Sequence, residues 1–217
     1  VGQALRESNI RRRDIFLTTK IPAEVKGYQE AKAVIEASLS NLGTEYIDLM
    51  LIHAPKPWSE MYTSSAKNYF EENLAVWTAM EEAHAAGKLR AIGISNFEIA
   101  DIENLLDHGT IKPMANQIRV HVGHTPTEVI AYCQEREILI MAYSPNATGR
   151  LLNHPVVVEM AARYKVSVSQ LCIRYNLQLG LLPLPKTTHE EYIRQNADVD
   201  FEISVEDMDI LSKTAEV

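Results

Sequence analysis

The sequence predicts an α/β fold, a (β/α)8 TIM barrel of which about six of the eight strands lie in this chain, and three observations predict it. Short apolar runs alternate six times with longer stretches of helical period, the grammar of βα units around a parallel sheet. Most of these runs are apolar on both faces, as strands covered on both sides are. A side chain capable of chemistry stands at or near the end of each run, and in a barrel those ends converge on one mouth. An open dinucleotide-binding sheet would instead carry G-x-G-x-x-G after its first strand; the nearest match, Gly93-Ile94-Ser95, lacks the spacing.

The strands read as Ile15 to Thr19, Tyr46 to Ile52, Leu89 to Ile94, Met114 to Val120, Ile138 to Tyr143 and Leu181 to Pro185. Between the first two, Ala31, Val34, Ile35, Ser38, Leu39 and Leu42 recur at three and four, and Gly43 supplies a left-handed helix end. Leu74, Trp77 and Met80 precede Gly87, and Ile99, Ile102, Leu105 and Leu106 precede Gly109, in the same pattern. Thr125, Pro126 and Glu128 read as N-cap, first-turn proline and capping-box partner. Helices near Val156 to Tyr164 and Ser169 to Leu179 both fall between the fifth and sixth strands, so that connection carries an extra helix. The stretch from Lys56 to Phe70 has no period and reads as a long ordered loop over a pocket.

Composition excludes several classes. With 217 residues, 46% hydrophobic and 23% charged, the chain supports one sizeable core and is read as a single, incomplete barrel domain over residues 1–217. No apolar run approaches the roughly 18 residues that a membrane helix needs. A net charge of -8, with 21 Lys+Arg scattered singly, argues against a nucleic-acid surface. Cys133 and Cys172 lie in helical patterns without metal-ligand spacing and read as reduced core residues of a cytoplasmic protein. The chain opens on Val1, so its native N-terminus is not in view and a targeting peptide is neither found nor excluded.

The strand ends carry the candidates. Lys20 closes strand one, His53 strand two, Ser95 and Asn96 follow strand three, Gln117 lies late in strand four, Tyr143 closes strand five and Lys186 follows strand six. Each has a plain alternative: a solvated lysine, a hydrogen-bonded structural histidine, Ser95-Asn96 as a helix N-cap, Tyr143 as a rim aromatic. Taken together they suit a dinucleotide across a barrel mouth. Asn96 and Gln117 offer amides to a carboxamide, Tyr143 a face to an aromatic ring, and Lys186 charge to a phosphate. Lys20 and His53 remain for the reaction. Trp58 and Tyr62 are candidate pocket walls, or aromatics that merely pack their loop; Val120 and His121 border the pocket past strand four. His121 and His124 lack a third ligand, so no metal is expected.

The segments Leu17-Thr-Thr-Lys20, Ile47 to His53, Gly87 to Phe97, Asn116-Gln117, Ala142-Tyr-Ser-Pro145 and Leu184-Pro-Lys186 with Asn196 resemble, in order, those of the aldo-keto reductase family, in its bacterial aldehyde and keto-sugar-acid reductase branch. The resemblance implies a barrel that binds NADPH without a Rossmann fold and reduces a small aldehyde or ketone to an alcohol. It implies that Lys20 lowers the pKa of a tyrosine acid and that His53 orients the carbonyl. Ser95, Asn96 and Gln117 would hold the carboxamide, Tyr143 would stack on the nicotinamide, and Ser144 would lie near the pyrophosphate. Lys186 and Thr187 would grip the 2'-phosphate, with Asn196 near the adenine. A monomer is expected.

Two departures accompany it. The family's catalytic aspartate and tyrosine belong to a βα unit that would precede Val1, and an arginine often found six residues past the phosphate lysine is here Tyr192. Six visible strands leave two unpaired edges, so residues 1–217 alone are expected neither to close a barrel nor to reduce a carbonyl, unless a longer polypeptide or another chain fills the gap. The competing functions are a nucleotide-binding regulatory barrel without turnover, and a lyase or isomerase using Lys20 as a Schiff-base amine.

Overall fold

The computed structural model describes residues 1–63 and 67–215, which cluster into two compact units, Val1–Asn116 and Gln117–Val217. In the first unit, α1 (Gly2–Glu7) and a 3-10 turn (Arg12–Asp14) lead into β1 (Thr18–Ile21), α2 (Tyr28–Leu42), β2 (Ile47–Ile52), α3 (Trp58–Met61), α4 (Phe70–Ala85), β3 (Leu89–Ser95) and α5 (Ile99–His108). β4 (Ala115–Arg119) begins at its end.

The three complete strands of this unit pair in parallel, Thr18 with Leu49 through Ile21 with Ile52, and Ile47 with Leu89 through Ile52 with Ile94. All six residues of β2 are buried, as the double-faced apolar run requires. Trp77 and Met80 of α4 and Ile35 of α2 cover the strands and are themselves fully buried. α2 stops at Gly43 (φ 67°), whose amide reaches the carbonyls of Leu39 and Ser40. A Cβ at Gly93 would stand 2.6 Å from the Ala115 carbonyl oxygen and 2.8 Å from Leu51 Cδ2, so only glycine fits there.

At the N-terminal end of β2, the buried Asp48 accepts from Arg12 at 2.7 Å, from the Leu17 amide at 2.9 Å and from Arg90 at 3.2 Å. The two guanidinium groups also lie over the ring of Tyr46, at 4.0 and 3.7 Å from its centroid. Burial pushes the Asp48 pKa up, but the Leu17 amide and the two arginines together hold it below the ordinary carboxylate value.

In the second unit, α6 (Thr127–Glu135), β5 (Leu139–Tyr143), a 3-10 segment (Ala147–Asn153), α7 (Pro155–Tyr164), α8 (Val168–Gln178), β6 (Leu182–Leu184), α9 (Glu190–Ala197) and α10 (Val205–Ser212) follow β4. β5 and β6 pair in parallel from Met141 with Leu182 to Tyr143 with Leu184. The core gathers around Tyr175, with Leu151, Met160, Leu171, Cys172 and Leu211 fully buried. The extra helix between the fifth and sixth strands is present as the pair α7 and α8, the latter opened by a Ser167 and Gln170 capping box.

Several local expectations shift. β1 begins three residues later than its apolar run, because pairing with β2 sets its limits while Phe16 is left exposed. Lys20 is therefore the third residue of a four-residue strand rather than its closing residue, and Gln117 is central in β4 rather than late. Thr125 does not cap α6: Pro126 holds the N-cap position, and the Thr125 hydroxyl instead lies 3.0 Å from Tyr175 Oη. The expected loop from 56 to 70 holds the short helix α3, and its residues 64–66 lie outside the described residues. α9 and α10 were not anticipated from the sequence, and α9 buries no residue at all. No helix among the described residues is long and apolar enough to cross a membrane.

Candidate active site and nucleotide pocket

In the first unit the strand register places the candidate groups. Leu51 pairs with Lys20 on one side and with Gly93 on the other. Side chains two residues apart share a face of a sheet, so His53 and Ser95 follow on the same face as Lys20. The His53 amide extends the ladder by one bond, 3.0 Å to the Ile21 carbonyl. Asn96 stands just past β3 in a left-handed conformation (φ 60°), which turns its amide back onto the His53 carbonyl at 3.0 Å and Ser95 Oγ at 3.1 Å. Glu98 caps α5 in a capping box with Asp101, so Ser95 and Asn96 are not its N-cap.

Lys20 is partly buried, and burial pulls its ammonium pKa down; it makes no ion pair or hydrogen bond among the described residues. The His53 pKa is lowered first by burial and then by the Lys20 charge, against an opposite pull from Glu24. Its imidazole is therefore neutral at neutral pH and able to donate a hydrogen bond. Trp58, the first residue of α3, sets its ring edge-on to His53 with centroids 5.0 Å apart. Tyr62 is 86% exposed.

In the second unit a cavity of about 650 Å³ is lined by Ser144, Lys186, Thr187 and Asn196, four of the sequence candidates, together with Leu152 and Tyr192. Ser144 (φ 54°), Ala147 (φ 48°) and Thr148 (φ 55°) all hold left-handed backbone in the segment after β5, a concentration of strain in non-glycine residues at the cavity wall. Lys186 is exposed and, among the described residues, has no hydrogen bond or ion pair. Asn146, which the sequence did not single out, donates to Ser169 Oγ at 2.8 Å, while its buried Oδ1 has no partner among the described residues. Gln195 lines the same cavity and was likewise missed; each stands next to a motif residue, Pro145 or Asn196, without belonging to the motif. Hydroxyls and one cation for phosphates, and amides for a heterocycle, fit a nucleotide.

Gln117 is buried in β4 and Tyr143 is partly exposed at the end of β5. Val120 is fully buried. His121 is also buried, its Nδ1 lying 2.9 Å from the Val122 carbonyl oxygen, and its ring stands 5.4 Å from that of His124 across a two-residue bridge.

The model of the aldo/keto reductase family matches residues 1–216, and the chain belongs to that family. It is 40% identical over 209 residues to an uncharacterized oxidoreductase, YtbE, of Bacillus subtilis, covering 96% of this chain and 70% of that protein. To a glyoxal reductase of the same organism it is 39% identical, covering 96% of this chain and 71% of the relative. Among solved structures, an aldo/keto reductase from Brucella melitensis superposes with a TM-score of 0.87 at 32% identity, over 98% of this chain and 78% of that one. An aldo-keto reductase of Bombyx mori in complex with NADP does so at 0.83 and 31% identity, over 98% and 71%. The α/β, TIM-barrel class expected from the sequence is thus the family's, and the protein is an oxidoreductase whose chemistry is the reduction of a carbonyl group.

Proposed function

We propose that the enzyme reduces small aldehydes, dicarbonyls included, with NADPH, using Lys20 and His53 at the reacting carbonyl and the second unit's cavity for the adenosine end of the dinucleotide. The observation that carries the reading is the neutral His53 beside a partly buried Lys20 with no ion pair among the described residues. A neutral imidazole donates to a carbonyl oxygen without competing for its proton. The Lys20 charge favours the anionic form of the proton donor, which the family resemblance makes a tyrosine outside residues 1–217, and so eases proton release to the developing alkoxide. When bound, the dinucleotide supplies hydride.

On this reading Ser95, Asn96 and Gln117 hold the carboxamide and Tyr143 offers its ring to the nicotinamide. Ser144 meets the pyrophosphate, Lys186 and Thr187 the 2'-phosphate, and Asn196 the adenine. Lys186 favours NADPH over NADH because only the former brings it a charged partner. The relative named a glyoxal reductase supports a reactive dicarbonyl as substrate. Cys133 and Cys172 are buried, and burial pushes the Cys172 thiol up to about 12, in keeping with an inert thiol in a reducing cytoplasm. The residues are read as an incomplete part of a single barrel domain that acts as a monomer.

The test is NADPH oxidation at 340 nm by the full-length protein against an aldehyde panel, with His53→Ala as the control. Turnover of aldehydes that falls with His53→Ala supports the reading; no turnover with any carbonyl, or full turnover without His53, removes it. The lowered Lys20 also favours a Schiff-base role. Borohydride inactivation in the presence of an aldehyde would reveal that role, and none is expected.

A further inference from the structure

Three consecutive backbone carbonyls after β2 are each held by a side chain from another segment of the first unit. The His53 carbonyl accepts from Asn96 Nδ2 at 3.0 Å. The Ala54 carbonyl accepts from Lys26 Nζ at 3.0 Å, and the Pro55 carbonyl from both Lys26 Nζ and Asn73 Nδ2, each at 3.0 Å. Lys26 places a third bond on Asn73 Oδ1 at 2.8 Å.

The sequence explains why side chains must do this. The segment His53-Ala54-Pro55-Lys56-Pro57-Trp58 contains two prolines, which lack amide hydrogens and so cannot extend a ladder or a helix. Ala54 and Pro55 are nonetheless buried, and buried carbonyls need donors. Lys26 brings three N–H donors on one atom, matching the three acceptors that surround it. It comes from the loop between β1 and α2, so one ammonium joins that loop, α4 and the segment carrying His53 and Trp58.

We propose that Lys26 is a positioning residue: its ammonium fixes the 53–57 segment, and through it the His53 imidazole and the Trp58 indole that packs on it. The inference rests on the reading of His53 as the group that orients the carbonyl.

The Lys26 charge is poised. Burial pushes its pKa down to about 8, against opposite pulls from Asp101 of α5, Glu72 of α4 and Glu24 of its own loop. The Tyr69 ring lies 5.6 Å from Nζ, and Lys56 is the other cation on the segment it holds. Above pH 8 a neutral amine keeps two N–H groups for three acceptors, so one of its three bonds is lost. The sign for the whole fold is opposite. Because the folded value lies below the ordinary 10.5, this group's contribution to stability rises as pH climbs from 8 to 10.5, so loosening in that window is local.

The experiment labels the two tryptophans, Trp58 and Trp77, with 5-fluorotryptophan and follows both 19F resonances of the protein from pH 5 to 10, with Trp58→Phe to assign them. It needs neither cofactor nor substrate, so it separates failure of this proposal from failure of the reductase reading. In the wild type the Trp58 resonance is expected to move twice, once with His53 below pH 6.5 and once near pH 8, while buried Trp77 stays fixed. Lys26→Met should remove the step near pH 8 and shift or broaden Trp58 at every pH without moving Trp77; Lys26→Arg should keep the neutral-pH position and lose only that step. In the full-length protein Lys26→Met should lower kcat about 10-fold and leave NADPH affinity within about twofold. A Trp58 signal in Lys26→Met identical to wild type overturns the proposal. Should that variant unfold, the wild-type titration decides alone: a Trp58 resonance with no step near pH 8 overturns it.

Discussion

In the first unit the segment carrying His53 is held mostly by groups distant in sequence: its backbone by the β1 ladder and Asn96 and its following carbonyls by Lys26 and Asn73, with the Trp58 ring against the imidazole. In the second unit the cavity is walled mostly by exposed or partly exposed groups, with Lys186 uncommitted among the described residues and α9 burying nothing. The contrast fits two tasks. Orienting a reacting carbonyl needs groups fixed before substrate arrives, whereas capturing phosphates and a base needs donors that are free to be taken. Substitutions of Lys20 and His53 in the first unit should therefore act on turnover, and those of the second unit's cavity residues on cofactor affinity.

The largest effect is expected for Lys20→Met in the full-length protein, a loss of about 10³-fold in kcat with little change in NADPH binding. The pH-rate profile should also lose an ionisation, because the acid's pKa drifts back toward about 10 without the neighbouring charge. A profile with all its ionisations intact would break the comparison at its strongest point. His53→Ala should cost about 10²-fold in kcat. In the wild type kcat/KM should hold steady as pH falls to the ordinary histidine value of 6.5 and drop only below it, since burial keeps His53 neutral. His53→Asn should abolish that acid limb, and a limb that persists would assign it elsewhere.

How far these residues were legible follows from where their partners lie. β2, β3 and β5 could be read because they are mostly apolar on both faces, and His53 and Tyr143 stand at the ends of such runs. β1 was misplaced because Ile15 and Phe16 look like strand residues while pairing with β2 starts at Thr18. Lys26 was invisible: nothing in its surroundings distinguishes it from a solvated loop lysine, and its acceptors are 28, 29 and 47 residues away.

A smaller effect tests the second unit. Asn196→Ala should weaken NADPH and NADH alike by a few-fold, roughly the worth of one neutral hydrogen bond, because both carry the adenine. A loss confined to one cofactor would move Asn196 to the phosphate.

The most direct measurement pairs cofactor binding with turnover in the full-length protein for His53→Ala and Lys186→Ala. Lys186→Ala should raise the Kd for NADPH, followed by fluorescence titration, by about 10 to 100-fold, spare NADH, and leave kcat at saturating cofactor near wild type. His53→Ala should show the reverse, a collapsed kcat with an unchanged NADPH Kd. Equal losses of NADPH and NADH affinity in Lys186→Ala, or a His53→Ala enzyme impaired in binding rather than turnover, would contradict the division of labour between the two units.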